Sequence, residues 1–86
     1  MLLALLPPLA WALEINTATR AQLEQLQGLG VQMTERILQA RGERPFADWN
    51  DLAQRVQGIG GKRAEQLHRQ GLTVNGKALG DRARPK

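Results

Sequence analysis

Leu26-Gln27-Gly28-Leu29-Gly30 and, thirty residues on, Val56-Gln57-Gly58-Ile59-Gly60 are two copies of one pattern: apolar, spacer, Gly, apolar, Gly. Each copy leads into a helix-like stretch. Between two helices this pattern makes a tight hairpin, because glycine reaches backbone angles that other residues resist and leaves no side chain over the turn. The apolar residue between the glycines, Leu29 or Ile59, is expected to point inward and lock the hairpin to the core. The bare outer backbone, with the amides that open the next helix, is then a seat for a phosphate oxygen. Two such seats in register predict a chain that grips a nucleic-acid backbone.

Working outward, Thr19-Arg20-Ala21-Gln22 reads as a capping box that starts a helix through Leu23 and Leu26, ending at Gly28. A second helix is expected from Val31 to about Arg41, with Thr34, Ile37 and Leu38 on its buried side. Gly42 to Pro45 reads as a turn. Asp48 caps a short helix through Trp49, Leu52 and Val56, and a last helix runs from Gly61 to about Gln70. Gly71 closes it, and Leu72 and Val74 pack back as an extended stretch. The predicted interior is Ile15, Leu23, Leu26, Leu29, Ile37, Leu38, Phe46, Trp49, Leu52, Val56, Ile59, Ala64, Leu67 and Leu72. Met33 reads as a gap-filler of that small core. No run alternates with the period of a half-buried strand, so the fold class is all-α, four to five short helices around one shared core.

Eighty-six residues suffice for one small domain. There is no cysteine, so neither a disulfide nor a thiolate-bound metal can hold it together. The net charge is +4, unevenly placed: Leu13–Gln57 carries five basic and six acidic residues, Gly58–Lys86 seven basic and two acidic. The positive field lies on the second hairpin and the tail, where a polyanion is drawn. Residues 75–86 read as a basic, disordered tail. Residues 1–12, MLLALLPPLAWA, read as an export signal: uncharged, leucine-rich, broken by Pro7 and Pro8, and ending in the small-x-small Ala10-Trp11-Ala12. The run is too short for a permanent span, which needs about 20 apolar residues. No Lys or Arg precedes it, so the signal is minimal or the true start lies upstream. The mature chain is expected to begin at Leu13 and to work in the periplasm.

From Leu13 to Val74 the chain resembles the tandem helix-hairpin-helix domain of ComEA-like competence proteins. The resemblance is carried by Ile15-Asn16-Thr17-Ala18, by the hairpins Gln27-Gly28-Leu29-Gly30 and Gln57-Gly58-Ile59-Gly60, and by Pro45-Phe46 with Asp51-Leu52 between them. It implies binding of double-stranded DNA without sequence preference, on the minor-groove side, during DNA uptake in natural transformation. Uptake machinery would be a partner, and the protein a monomer in solution. The DNA-binding residues implied are Gly28, Leu29 and Gly30 in the first hairpin, and Gly58, Ile59, Gly60, Gly61, Lys62 and Arg63 in the second. Family members often carry a basic residue after the second glycine. Lys62 and Arg63 match, whereas the equivalents thirty residues earlier are Gln32 and Met33, and Thr34 stands where the family prefers alanine, as at Ala64. An asymmetric module is therefore expected, its second hairpin binding DNA more strongly. Arg69 and the tail residues Lys77, Arg82, Arg84 and Lys86 would give outer support.

Phosphate contacts position a protein on DNA without reading bases. Neutralising roughly four phosphates gives a log–log salt slope near about −3.6 on duplex DNA. Catalysis is not expected: helix-hairpin-helix enzymes need a pocket and a nucleophile or carboxylate cluster, and Glu24, Glu35, Asp48, Asp51 and Glu65 are dispersed. His68, at a helical surface position, has no assigned role; no metal or cofactor is expected, and Phe46 and Trp49 read as core. The alternatives are a cytoplasmic DNA-repair or recombination accessory and a protein-interaction module that has lost DNA binding.

Overall fold

The two ends of the domain are joined before any helix begins. A computed structural model describes residues 13–80; the expected export signal, residues 1–12, and tail residues 81–86 lie outside the described residues. Strand β1 (Leu13–Glu14) pairs in parallel with β2 (Leu72–Thr73), with Leu13 opposite Leu72 and Glu14 opposite Thr73. These two-residue strands depart from an all-α fold, and they are too short to leave a period-2 signal in the sequence. The Glu14 carboxylate reinforces the junction, accepting from the amides of Asn75 (2.7 Å), Gly76 (2.8 Å) and Asn16 (3.1 Å) and from the Thr73 hydroxyl (2.9 Å).

Four helices lie between the strands: α1 (Arg20–Glu24), α2 (Gly30–Glu43), α3 (Trp49–Arg55) and α4 (Gly61–Arg69). The capping box at α1 is complete, with Thr19 accepting from the Gln22 amide and Gln22 accepting from the Thr19 amide. Asp48 caps α3 through the Asp51 amide at 2.8 Å. Two boundaries differ from expectation. The first helix ends at Glu24, and Leu26 sits in the turn beyond it. The second runs on through Gly42 and Glu43 to end at Arg44, just before Pro45. A glycine in a helix costs about 1 kcal/mol against alanine, and the Arg55 guanidinium offsets it by donating to the carbonyls of Ala40 (2.7 Å) and Arg44 (2.9 Å). Proline then ends the helix.

The core draws on every helix. Ile15, Leu23, Ile37, Phe46, Leu52, Leu67 and Leu72 are fully enclosed, with Leu29, Trp49, Val56, Ile59 and Ala64 also buried. Met33 and Thr34 are buried too, along with Ala18 and Val74; Leu26 and Leu38 are only half-buried against the cluster's edge. Thr34 is tolerated because its hydroxyl donates to the Gly30 carbonyl at 2.7 Å, one helical turn back. Asn16 braces the linker, its carboxamide accepting from the Phe46 amide (2.7 Å) and donating to the Phe46 carbonyl (3.0 Å). His68 is not the surface residue expected. It is half-buried, its ring edge-on to Trp49 with centroids 6.3 Å apart.

Order also continues past Val74, where the sequence places the start of the tail. Asn75 and Gly76 take left-handed angles (φ 56° and 76°) in a tight turn closed by Val74 and Lys77, each amide donating to the other's carbonyl. Two such central residues are what an Asn-Gly pair supplies. The Trp49 indole donates to the Lys77 carbonyl at 3.0 Å, fixing the turn to the core.

Candidate nucleic-acid interface

In both hairpins the first glycine is left-handed, Gly28 at φ 92° and Gly58 at φ 104°. The following apolar residue is buried, and its amide donates to the carbonyl three residues back: Leu29 to Leu26, Ile59 to Val56. Leu29 and Ile59 therefore anchor the turns from inside, and only their backbone is available to a ligand. The next helix begins at once. Neither the start of α2 nor that of α4 has a side-chain cap, so their first amides remain open to an anion.

The second glycines break the symmetry. Gly30 is left-handed at φ 73°, whereas Gly60 has φ −97° and ψ −166°, extended backbone that any residue adopts. The φ of the second glycine thus differs between the copies, 73° against −97°. Gly60, Gly61 and Lys62 are exposed at the start of α4, and Lys62 pairs with no carboxylate among the described residues. A shallow open groove of about 800 Å³ runs from Gly58 and Gly60 past Lys62 and Gln66 to Arg69, which is paired loosely with Glu65 at 3.8 Å. At the first hairpin the exposed side chains beside Gly30 are Val31 and Gln32, uncharged both.

Arg63 lines the groove beside Lys62, but it also reaches the other hairpin. It is half-buried, and its Nη1 donates to the carbonyl of Gly28 in the other hairpin. Three further residues that the sequence did not single out, Gln66, Gln70 and Arg36, join the hairpins together with Met33. Gln66 lies against Gly28, where an added Cβ would meet its Oε1 at 2.6 Å. Gln70 accepts from the Gln27 amide and donates to the Gln27 carbonyl, both at 2.9 Å. Arg36 donates to the Gln57 carbonyl at 3.3 Å, and Met33 covers Gly58, its Cε 2.8 Å from an added Cβ. The signal was available: Met33 and Arg63 are thirty residues apart, as are Arg36 and Gln66, so equivalent slots reach across to opposite hairpins.

The arrangement can hold anions on two open helix starts spaced by α4, with charge-assisted contact at the second. Among the described residues, no group of His, Asp and Glu is placed to hold a metal ion, and no helix is long and apolar enough to cross a membrane. No curated protein and no solved structure matches the chain. The family model described as "helix-hairpin-helix motif" matches residues 12–70, which takes in both hairpins and everything between them. With that match over more than half its length, the chain belongs to the helix-hairpin-helix family, whose domains are of the DNA-binding type.

Proposed function

We propose that this domain binds double-stranded DNA without sequence preference, through backbone phosphates on the minor-groove side, as an exported receptor in DNA uptake. One observation carries the binding: two glycine hairpins, each opening on an uncapped helix start, the second flanked by Lys62, which pairs with no carboxylate among the described residues. The finer role rests on the resemblance of residues 13–74 to ComEA-like competence proteins and on the signal-like residues 1–12. The protein is non-enzymatic in this reading and works as a monomer in the periplasm, handing DNA to uptake machinery.

Fluorescence-anisotropy titration of the full chain with a short random-sequence duplex, at several salt concentrations, tests the binding. Affinity should fall with salt along a log–log slope near about −3.6, and Lys62→Glu should weaken it at least about tenfold through lost attraction and new repulsion. No binding at low salt would leave a protein-interaction module, which the exposed Val31 beside the uncharged first hairpin favours. Export is tested separately by sequencing the N-terminus of protein recovered from the periplasm of a diderm host. Leu13 is the expected first residue, and an intact Met1 in the cytoplasm would point to a repair or recombination accessory instead.

A further inference from the structure

Helix α4 shows two different lines of side chains to the two hairpins. Lys62 and Arg69, seven residues apart, share one line on the open groove, whose border Arg63 also forms. Arg63 and Gln70, also seven apart, share a line about 100° further round, and both bond to the backbone of the first hairpin, at Gly28 and Gln27. Gln66 stands between the lines and covers Gly28.

From this division we infer that Arg63 is a positioning residue and not a phosphate ligand: with Gln70 it locks the first hairpin to the helix that opens the second, and so sets the distance between two phosphate seats. The inference rests on the DNA-binding reading above. Its strongest support is the copy thirty residues earlier. The slot of Arg63 is held there by Met33, which carries no charge yet makes the reciprocal contact, covering Gly58. The slot of Gln66 is held by Arg36, which bonds the Gln57 carbonyl. These slots reach the opposite hairpin whichever residue fills them, so their shared property is the cross-contact and not the charge. A cation in the first turn of a helix also opposes the helix dipole, and at Arg63 the Gly28 carbonyl supplies the compensating acceptor. Lys62, one residue earlier, has no such acceptor among the described residues.

The consequence is a duplex preference built into the clasp. Two seats held at a fixed spacing engage both backbones of a duplex together, and the second contact gains from the effective concentration set by the first. A flexible single strand adapts to either spacing and gains little from the clasp. The test compares the full wild-type chain with Arg63→Met, Arg63→Lys and Lys62→Met, titrated with a duplex and a single strand of equal length at several salt concentrations. Arg63→Met should weaken duplex binding about tenfold, leave single-strand binding unchanged, and leave the salt slope on duplex unchanged. Arg63→Lys, which retains a donor for the Gly28 carbonyl, should recover part of the loss. Lys62→Met should weaken both ligands and reduce the duplex slope by about 0.9. If Arg63→Met instead lowers the slope by about 0.9 and weakens both ligands alike, Arg63 is a phosphate ligand and the inference is wrong. If it changes neither ligand's binding, the clasp sets nothing and the inference is equally wrong. Gln70→Ala, which cuts the same clasp without touching charge, gives the same readout should Arg63→Met fail to fold. A wild-type chain that binds neither ligand ends the DNA reading itself, an outcome distinct from any difference between variants.

Discussion

The two hairpins share a sequence pattern and a fold but not a surface. Both put a left-handed glycine at the turn and an apolar anchor beneath it. Beyond that they part: the first continues through a second left-handed glycine into uncharged Val31 and Gln32, the second through extended Gly60 into Gly61 and Lys62. The inner half of the motif answers to packing, which both copies need equally because they share one core. The outer half answers only to solvent and ligand, and there the copies are free to differ. A duplicated motif thus need not be a duplicated site.

The largest effect is expected where the second hairpin meets the core. Alanine at Gly58 must adopt a left-handed backbone, costing about 1–2 kcal/mol, and displace the buried Met33, whose Cε lies 2.8 Å from the new Cβ. Together these give about 3 kcal/mol of lost stability, read as a lower urea midpoint. Gly28→Ala carries the same backbone penalty, but it meets the carboxamide end of the exposed Gln66, which swings aside. About 1–2 kcal/mol is expected. Equal losses would mean that the two turns are supported alike.

The second glycines give the sharpest contrast. Gly30→Ala is strained by its φ of 73° although nothing lies within 4 Å, so it should cost about 1–2 kcal/mol. Gly60→Ala, at φ −97° and equally unobstructed, should be neutral or gain about 0.4–1 kcal/mol from a less flexible unfolded chain. Parallel destabilisation in urea would show that the hairpins have the same backbone in solution. A smaller change is expected from Gln32→Lys, which puts the cation of Lys62 into the equivalent place beside Gly30. If the first hairpin is a phosphate seat lacking only charge, the salt slope on duplex DNA steepens by about 0.9. An unchanged slope would make the first hairpin structural.

Much of this was legible in the sequence because it depended on local rules. The glycine turns, the capping residues Thr19 and Asp48 and the buried anchors Leu29 and Ile59 each announce themselves within a few residues. What was not legible is long-range and polar. Nothing near Arg63 says that its guanidinium, at the edge of the groove, bonds the Gly28 carbonyl, since solvent suits an arginine in a first helical turn as well. The continuation of α2 through Gly42 depends on Arg55, which is brought to the carbonyls of Ala40 and Arg44 by the fold of the linker. Asn75-Gly76 carried a turn signal that was hidden by the glycine and charge around it. The site divides in the same way: the seats follow from the pattern, while the clasp between them follows from the packing of α4.

That clasp depends on where α4 is held, and its far end leads directly into β2, which Glu14 ties to the start of the domain. Burial alone would raise the pKa of Glu14. The hydrogen bonds from the Gly76, Asn75 and Asn16 amides and the Thr73 hydroxyl outweigh it and hold the carboxyl below its ordinary 4.5. A carboxyl depressed in the folded state contributes stability above its unfolded pKa and loses it as pH falls through the folded value. The melting temperature should therefore decline as pH drops below about 4.5. Glu14→Gln should melt lower than wild type at neutral pH and converge on it in acid. Asp51, also held low by the Ala47 amide and by Arg55, keeps part of the acid dependence in both proteins. Curves that stay parallel would show that the ionised Glu14 does not fasten the end of α4. The first hairpin, gripped through Gln70 at the β2 end of α4, is expected to feel that loosening more than the second, which hangs on the other end of the helix.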